Sequence, residues 1–397
     1  MAKKKTKKIG KPSRLLYWLI YHFLYPRYRR RYGLTLDTAA LKEIKGPALV
    51  ISPHTSNKDH WLLGIALYPT RPTFVISEHF MASPKLRPFL HLAHVITKKM
   101  FCPDVGTIMN IMRAAKEGNT IVLFPEGRLT CNGRTGSLTE GSATLAKKLD
   151  FDIYVVTANG ASLTFPKWAK QPRRGSIRLA AEKLMTAEEV KALPLATIEE
   201  RMQSAIRHDD AAAMAGVSYR ADGMAEGLDG ILYRCPSCER ELTLRTEGDH
   251  ILCTCGMRAR LDARYRMHGV PFHTILNWYD WQIGQVDLAC DVLETDAVLG
   301  AVNEKGNMDE NAGHAHVRMD RETFTLEGTL FGQPISVSRR TVDITAFPTT
   351  VGKHFDIYHN NKLVYIFPQP DTRIAVKWVA YLDRLVAEEK QKALAKT

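Results

Sequence analysis

Acidic residues are missing from the start of this 397-residue sequence: residues 1–32 contain no Asp or Glu, but they contain eleven Lys and Arg. The whole chain has a net charge of +13, so the other residues together carry only +2, which is 13 minus 11. The positive charge is therefore a property of the N-terminal segment. It predicts an anionic partner for that segment.

A long hydrophobic run is also missing from this segment. Residues 15–25 are mostly apolar or aromatic, but the run has only eleven residues and Pro26 follows it. A membrane-spanning helix needs about 20 residues, so this run is too short to cross a bilayer. Because Trp and Tyr are typical of the membrane–water interface, we predict that residues 1–33 form a basic interfacial anchor on an anionic phospholipid surface. The protein would then be peripheral or monotopic at the cytoplasmic face of the cell membrane.

Three other interpretations of the segment stay open: a signal peptide, a buried helix, and a solvated or nucleic-acid-binding tail. Against a signal peptide, no small-residue cleavage site follows the apolar run. The arginines at positions 27 and 29–31 also oppose export.

Cysteine is scarce, with seven residues, yet four of them follow the pattern C-x2-C-x14-C-x-C: Cys235, Cys238, Cys253 and Cys255. This spacing is typical of a zinc ribbon with a structural metal ion. The alternatives are disulfides, or a ligand set that includes His250. Because so short a segment cannot build a core alone, zinc is the predicted cofactor, and thiolate ligands indicate a reducing compartment. Between positions 235 and 260 four basic residues balance four acidic ones, so no nucleic-acid partner is expected.

A nucleophile-elbow serine or cysteine is missing near the most informative histidine, His54. His54 follows an apolar run at residues 48–51 and precedes a helical pattern at residues 57–68, so Asp59 would lie in the first helical turn. A carboxylate there can orient the imidazole as a general base, which then acts on a hydroxyl that the substrate supplies. The alternative is structural, because residues 56–59 also fit a capping box that stabilises the helix start.

A second motif, Phe-Pro-Glu-Gly-Arg, occupies residues 124–128 at the end of another apolar run. Ligand groups collect at strand ends in α/β sheets. A glycine beside a cation lets the backbone approach closely, so Gly127 and Arg128 suit a phosphate group. The alternative for Glu126 is a carboxylate that stabilises the turn.

Together, His54, Asp59 and the motif at residues 124–128 resemble the glycerolipid acyltransferase family, which includes the 1-acylglycerol-3-phosphate acyltransferases. The resemblance covers about residues 34–207 and implies O-acyl transfer in phospholipid synthesis. It implies that the histidine is the base, that the aspartate orients it, and that the donor is acyl-CoA or acyl carrier protein. The acceptor would be a lysophospholipid or another phosphate-bearing alcohol. Its phosphate would be bound by the last residues of the motif, Glu126, Gly127 and Arg128.

Two positions depart from the family's pattern. The middle motif usually ends in Arg, whereas here Lys98 and Lys99 are the candidate phosphate ligands, and lysine lacks the bidentate fork of arginine. The last motif usually carries Val-Pro, whereas residues 154–158 here read Tyr-Val-Val-Thr-Ala. These departures concern the acceptor more than the reaction. Glycerol 3-phosphate or another lysophospholipid is the alternative acceptor, and a catalytically silent zinc-ribbon scaffold is the alternative from another class.

Apolar runs alternate with helical patterns over residues 34–215, which predicts an α/β domain with a largely parallel sheet, and the resemblance implies that this is the acyltransferase domain. Its strands are predicted at residues 48–51, 73–77, 94–97, 120–124, 152–158 and 176–179, and its later helices at residues 105–116, 141–149 and 197–215. A linker at residues 216–230 and the zinc ribbon at residues 231–268 follow. Residues 269–397 are predicted to form a C-terminal α+β domain, loosely like a pleckstrin-homology fold. Its strands, at residues 323–327, 334–338, 341–347, 355–358 and 363–367, precede a capping helix at residues 371–395.

Overall fold

The computed structural model describes residues 8–100, 104–360 and 362–394. The chain divides into two compact units. Unit 1 consists of Met1–Lys167 and Pro172–Arg220, and unit 2 consists of Trp168–Gln171 and Ala221–Thr397. The first seven residues of the predicted anchor lie outside the described part of the chain.

The strands of unit 1 are β1 (Leu34–Asp37), β2 (Leu49–Ile51), β3 (Thr73–Ser77), β4 (Ile96–Lys98), β5 (Ile121–Leu123), β6 (Ile153–Asn159) and β7 (Ile177–Met185). Its helices are α1 (Arg14–Leu19), α2 (Tyr25–Tyr32), α3 (Asp59–Ala66), α4 (Arg87–Leu92), α5 (Val105–Lys116), α6 (Ser142–Leu149), α7 (Ala161–Thr164), α8 (Ala187–Ala192), α9 (Leu195–Ile206) and α10 (Asp210–Ala213). A π-helical segment (Ile20–Leu24) joins α1 to α2, and short 3₁₀ helices span Ala39–Glu43 and Glu78–Ala82. The predicted strands correspond to β2 through β7, whereas β1 is a strand that the sequence did not predict.

These strands form one sheet in the order β1-β7-β6-β2-β5-β3-β4. Strands β6 and β7 pair antiparallel, and the other neighbouring strands are parallel. The prediction of a largely parallel sheet is therefore confirmed. The carboxyl ends of β2, β5, β3 and β4 meet at one edge of the sheet, which is where ligand groups collect in such folds.

Both faces of the sheet are covered, as is typical of parallel sheets. Consecutive residues of β2 point to opposite faces. Val50 packs in a cluster with Tyr17 of the N-terminal helical segment and Leu62 of α3, whereas Leu49 packs in a second cluster with Ile111 of α5. The helical segment that begins with α1 is therefore one layer of unit 1.

The structure differs here from the predicted separate anchor at residues 1–33. Leu16, Tyr17 and Ile20 are buried, and the hydroxyl of Tyr17 donates a 2.6 Å hydrogen bond to the carbonyl of Pro72. The interpretation as a buried helix holds for this side of the segment. The other side exposes four large apolar residues, Leu15, Trp18, Leu19 and Phe23. Composition could not show this division, because both sides of the helix are apolar.

Pro26 follows the apolar run but does not end the helical segment, because it lies in the first turn of α2. Proline lacks an N–H group and collides with the carbonyl four residues earlier, so it normally breaks a helix interior. The π-helical segment Ile20–Leu24 precedes Pro26, and its hydrogen bonds join residues five apart instead of four. The usual bond between residues four apart is therefore not the pattern at this point. The chain therefore stays helical as far as Gly33, whose φ of 59° ends α2 in a left-handed conformation.

Leu16→Ala should lower the free energy of unfolding of unit 1 by about 2–4 kcal/mol, because it removes buried methyl groups from the core. Leu15→Ala is the matched control, since the same side chain one position earlier is 64% exposed. Denaturant unfolding of the two variants and the wild type gives the comparison. Equally small effects would contradict the placement of α1 in the core.

The strands of unit 2 are β8 (Leu244–Glu247), β9 (His250–Cys253), β10 (Arg258–Leu261), β11 (Met267–His268), β12 (Leu293–Val302), β13 (Met308–Met319), β14 (Thr323–Leu330), β15 (Gln333–Arg340), β16 (Thr349–Thr350), β17 (His354–His359) and β18 (Lys362–Pro368). Its helices are α11 (Ile275–Gly284) and α12 (Ala375–Leu394). Strands β8 to β11 form a four-stranded sheet that carries the cysteine cluster, and the others form a seven-stranded sheet in the order β15-β14-β13-β12-β18-β17-β16.

The seven-stranded sheet is antiparallel throughout, and α12 packs against it. The ring of Trp378 in α12 stacks on Phe355 of β17 with a centroid distance of 5.2 Å. The predicted hairpin is present, since His359 of β17 pairs with Lys362 of β18. Strands β12 and β13 were not predicted, and the predicted strand at residues 341–347 begins instead with a 3₁₀ helix at Thr341–Asp343.

The predicted ribbon and C-terminal domain belong to the same unit 2, whereas the predicted linker at residues 216–230 is divided between the two units after Arg220. Buried Gln282 of α11 explains why the ribbon and the C-terminal domain do not separate. Its side-chain amide donates to the carbonyl of Ile231 (2.7 Å) and accepts from the amide of Tyr233 (3.0 Å). The indole of Trp278 donates to the carbonyl of Arg234 (2.9 Å). The ribbon and α11 are thus joined by buried hydrogen bonds.

Candidate active site

His54 lies in the loop between β2 and α3, at the carboxyl edge of the sheet. Its Nδ1 is 2.9 Å from Oδ2 of Asp59, the first residue of α3. The histidine side chain is 24% exposed, whereas Asp59 is fully buried. The structure therefore brings the predicted pair together, with an accessible imidazole and a shielded carboxylate.

The carboxylate of Asp59 contacts both the His54 ring and the backbone before α3. Its Oδ2 accepts the amides of Thr55 (2.8 Å) and Ser56 (2.9 Å), so it fixes the loop before the helix. The same oxygen faces the ring of His54. Burial raises the pKa of Asp59, while the His54 ring and the two amides lower it. These contacts hold the carboxylate in one position beside the imidazole.

The Phe-Pro-Glu-Gly-Arg motif lies directly against His54. The Phe124 ring stacks on the imidazole, with a centroid distance of 4.2 Å and an interplanar angle of 20°. Gly127 closes a turn by donating its amide to the carbonyl of Phe124 (3.0 Å), and its φ of 73° favours glycine. The amide of Thr130 donates to the carbonyl of His54 (3.0 Å). The two predicted motifs therefore form one site.

Glu126 ties these loops together through both of its carboxylate oxygens. Oε1 accepts the amide of His54 (2.8 Å) and Oε2 accepts the amide of Gly136 (2.7 Å). The side chain is buried, and burial raises its pKa to about 7 against the opposing effect of the two amides. This geometry matches the turn-stabilising alternative for Glu126. Because both oxygens already accept backbone amides, these contacts favour a positioning role, and the role of Glu126 as a substrate ligand stays a prediction.

Glu126→Gln should change the pH dependence of stability. The pKa of Glu126 in the folded protein, about 7, lies above its ordinary value of 4.5, so the folded protein binds the proton more tightly. The contribution of this residue to the free energy of unfolding therefore falls as pH rises from about 4.5 to about 7, by about 3 kcal/mol. The variant should lack this decline, which unfolding curves from pH 4.5 to 8 measure.

Glu117→Gln is the control for this experiment. The Glu117 carboxylate also accepts two backbone amides, those of Ile9 (3.2 Å) and Gly10 (2.8 Å), but it is only half-buried. Comparing Glu117→Gln with Glu126→Gln therefore distinguishes the effect of losing a carboxylate that accepts two amides from the effect of removing a buried charge. Parallel curves for wild type and Glu126→Gln would contradict the proposed titration.

The predicted phosphate ligands lie at different places along the edge. Arg128 follows the turn directly and is half-buried next to the His54 loop. Lys98 ends β4, which is separated from β2 by β5 and β3, so about 14 Å lies between the two strands. Burial lowers the pKa of Lys98, with an opposing effect from Asp104. The amide of Lys99 donates to Asp104 (3.1 Å), which also caps α5. Arg128 thus lies two residues before Thr130, whose amide contacts the His54 loop, whereas both lysines lie far along the edge.

Sequence reasoning missed a set of contacts that holds the loop at residues 130–138 from its other side. The amide of Thr135 donates to the carbonyl of His208 (3.0 Å), whose Nε2 is 2.9 Å from Oδ1 of buried Asp210. The amide of Asp210 donates to the carbonyl of Gly133 (3.2 Å). The sequence assigned both residues to one helix at residues 197–215, but α9 ends at Ile206, His208 lies outside a helix, and Asp210 begins the short helix α10. Their only local signal was two polar residues after an amphipathic pattern.

The four predicted cysteine ligands come together in unit 2, where their sulfur atoms all lie within 4.8 Å of one another. The Sγ atoms of Cys235 and Cys255 are 3.8 Å apart, as are those of Cys238 and Cys253. Zn–S bonds of about 2.3 Å at tetrahedral angles separate two sulfurs by about 3.8 Å, so the donor set fits zinc. His250 instead contacts Nη2 of Arg258 (3.2 Å) and is not a member of the cluster.

Residues 8–159 match the family model described as Acyltransferase. The matched segment begins six residues before α1, ends with β6, and contains both motifs of the site. Among solved structures, the chain is similar to the 1-acyl-sn-glycerophosphate (LPA) acyltransferase PlsC from Thermotoga maritima, at 17% sequence identity and a TM-score of 0.41. That match covers 47% of this chain and 77% of the other. The family match supports an acyltransferase assignment for this part of unit 1.

Proposed function

We propose that unit 1 transfers a fatty acyl chain from acyl-CoA or acyl carrier protein to the hydroxyl of 1-acylglycerol 3-phosphate at a membrane surface. The observation that carries this proposal is the His54–Asp59 pair, held against the Phe-Pro-Glu-Gly-Arg turn at the carboxyl edge of the sheet. Both motifs fall within the segment that matches the acyltransferase family.

The geometry supports a general-base mechanism. Asp59 accepts a hydrogen bond from the Nδ1–H group of His54. The unprotonated Nε2 is then the atom that takes the proton of the acceptor hydroxyl. The hydroxyl oxygen then attacks the thioester carbonyl, a C–O bond forms, and the C–S bond breaks. The imidazolium returns the proton to the departing thiolate, so the products are the ester and the free thiol. Throughout, the Asp59 carboxylate holds the tautomer and stabilises the positive imidazolium.

Arg128 is the best-placed cation for the acceptor phosphate. It comes directly after Gly127 in the turn whose Phe124 ring stacks on His54. An arginine can bind phosphate through two parallel hydrogen bonds, which fixes orientation as well as charge. Lys98 and Lys99 stay secondary candidates because of their distance along the sheet edge.

Attachment to an anionic phospholipid surface is the second part of the proposal. In the described residues, 8–100, 104–360 and 362–394, no helix has both the length and the apolar character needed to span a membrane. The exposed side of α1 and the following π-helical segment instead presents Leu15, Trp18, Leu19 and Phe23. The exposed residues Arg14, Arg27, Arg29 and Arg30 flank these apolar side chains. This combination is typical of peripheral or monotopic attachment at a cytoplasmic membrane face.

Structural zinc in unit 2 completes the proposal. Cys235, Cys238, Cys253 and Cys255 would hold the ion, whose bonds would stabilise the four-stranded sheet. The backbone amide and then the guanidinium of Arg240 lower the pKa of Cys238 to about 6, which favours the thiolate form that binds metal.

An acceptor screen tests the proposed reaction. The purified full-length chain is mixed with radiolabelled acyl-CoA, or with acyl carrier protein charged with the same chain, and anionic liposomes. The acceptors are 1-acylglycerol 3-phosphate, glycerol 3-phosphate and lysophosphatidylethanolamine. We expect the highest kcat/KM with the first. A preference for either other acceptor would support the alternative acceptors, and no transfer to any of them would favour a silent scaffold.

A further inference from the structure

Exposed apolar residues also occur outside the N-terminal helical segment, around α4. Phe80 is 43% exposed, Leu86 is 41% exposed and Leu92 is 53% exposed. Single exposed apolar residues are normal on soluble proteins, but a contiguous group indicates a binding surface. Their arrangement relative to α1 and to the carboxyl edge therefore decides whether they form one surface.

The α4 segment, which we define as the 3₁₀ helix Glu78–Ala82, the helix α4 and the residues between them, connects the carboxyl edge of the sheet to α1. Phe80 lies in the 3₁₀ helix that directly follows β3, at the edge where the His54 loop also begins. The ring of Phe89 in α4 contacts the ring of Trp61 in α3, with a centroid distance of 4.9 Å. Trp61 lies two residues after Asp59. At the other end of α4, the carbonyl of Leu92 accepts the amide of Ser13 (3.0 Å), the N-cap of α1.

These contacts place the exposed residues on neighbouring elements, and we call this set of residues the apolar band. It consists of the outer side of the N-terminal helical segment and the exposed residues of the α4 segment: Leu15, Trp18, Leu19, Phe23, Phe80, Leu86 and Leu92.

The charges beside the apolar band identify its partner. Residues 79–100 contain no Asp or Glu, and neither do residues 8–32. The α4 segment contributes exposed Lys85 and Arg87, and α1 contributes exposed Arg14. Apart from half-buried Glu78, which begins the 3₁₀ helix before α4, the Asp, Glu, Lys and Arg positions of these two stretches are all basic, and the stretches are distant in sequence but adjacent in the fold. This combination fits the headgroup layer of an anionic lipid bilayer, where each basic residue adds to the attraction.

We propose that the α4 segment is a second membrane-contacting element, which extends the contact of α1 along the protein toward the edge that carries His54. The inference rests on the proposed function, because a bilayer at this position would deliver an amphiphilic acceptor to the imidazole without its full transfer into water. The α4 segment then determines how unit 1 is oriented on the membrane, whereas α1 alone would leave rotation about its axis unconstrained.

The test compares two variants of the full-length protein. Leu86→Ser combined with Leu92→Ser removes apolar surface from the α4 segment, and both side chains are exposed, so folding should be preserved. Met109→Ser is the matched control. Met109 is 57% exposed on α5, whose buried residues pack on the opposite face of the sheet. Co-sedimentation is measured with vesicles of phosphatidylcholine that contain phosphatidylglycerol, without acyl donor or acceptor.

We expect the double variant to partition into vesicles about tenfold more weakly for each leucine replaced, and Met109→Ser to differ from wild type by less than about twofold. Turnover of a short-chain acceptor dissolved as monomers should be unchanged, whereas turnover of a bilayer-embedded acceptor should fall. Unchanged partitioning of the double variant, or an equal loss in the control, would overturn the inference. Loss of concentration-dependent self-association with unchanged partitioning would identify a second copy of the chain as the occupant and would also overturn it.

This design distinguishes a failure of the proposed acyl transfer from a failure of the proposed membrane contact of the α4 segment. Partitioning is measured without substrates, so it reports on the apolar band even if the chain transfers no acyl group. Acyl transfer in detergent with normal partitioning of the double variant would instead retain the proposed function and remove only the role of α4.

Discussion

His54→Ala should reduce acyl transfer by about 10²–10⁴-fold, the usual contribution of a general base. The ring is the accessible member of the pair, and Asp59 binds Nδ1, so Nε2 is the atom that takes the acceptor proton. The substitution removes no backbone contact, because the amide and the carbonyl of residue 54 make the bonds to Glu126 and Thr130. The loss should therefore appear in kcat at an unchanged melting temperature.

Asp59→Asn tests the partner in the same assay. An amide oxygen can still accept the amides of Thr55 and Ser56, so the loop should keep its shape. It cannot stabilise an imidazolium as a carboxylate does, and its NH₂ group disfavours the productive tautomer. We expect a large decrease in kcat with little change in KM, since the carboxylate acts through His54 and not on the substrate.

A second histidine–carboxylate pair provides the control. His268 and Asp262 in unit 2 are also 2.9 Å apart, but the His268 side chain is 47% exposed and lies outside the matched segment. His268→Ala should leave acyl transfer unchanged. Wild-type activity in His54→Ala would refute the mechanism, and equal losses in both histidine variants would mean that the assay reports stability instead of chemistry.

Residue spacing alone predicted the pair that is local in the chain, whereas the motif at residues 124–128 was joined to that pair through the family resemblance. His54 and Asp59 are five residues apart, and a turn followed by a helix start brings them together without help from elsewhere. The contact of Glu126 with Gly136 and that of Thr135 with His208 join segments ten and 73 residues apart. No spacing rule predicts such pairs, because they depend on how α9 and the loop at residues 130–138 pack on the sheet.

The N-terminal segment shows a different limit. Its apolar residues occur on all sides of the helix, and composition assigned them together to a membrane surface. The fold divides them, since Leu16 and Tyr17 complete a layer over the sheet while Leu15 and Trp18 face outward. Only the position of α3 and β3 determines which side is buried. In unit 2, the strands β12 and β13 were missed for a related reason: many of their residues are polar and exposed, so their apolar alternation is weak.

The zinc prediction has the second large expected effect. Metal binding to isolated zinc-finger peptides contributes about 10–16 kcal/mol, which exceeds the total stability of many small domains. Cys235→Ser combined with Cys238→Ser removes two ligands, and the remaining pair cannot hold the ion tetrahedrally. Freshly purified wild type should contain one zinc ion per chain, and the double variant should contain none. Elemental analysis of both proteins measures this difference.

The structural effect should extend beyond the four-stranded sheet. The backbone of residues 231–234 is held by Gln282 and Trp278 of α11, and both of these side chains are fully buried. If the ribbon loses its metal, these buried polar groups lose their partners, which costs about 1–3 kcal/mol for each. Hydrogen exchange measured by mass spectrometry should therefore accelerate in β8 to β11 and in α11. Exchange in β2 and β5 of unit 1 should stay slow.

Cys290→Ser is the control, because Cys290 is an exposed cysteine of unit 2 outside the cluster. It should retain zinc and normal exchange. Acyl transfer by the double variant should persist at least in part, since the His54 loop belongs to the core of unit 1. If freshly purified wild-type protein contained no zinc, the four cysteines would have a role other than zinc binding. Complete inactivation of the double variant, with slow exchange retained in β2 and β5, would show that the metal ribbon participates in catalysis, and the assignment of the whole reaction to unit 1 would then be wrong.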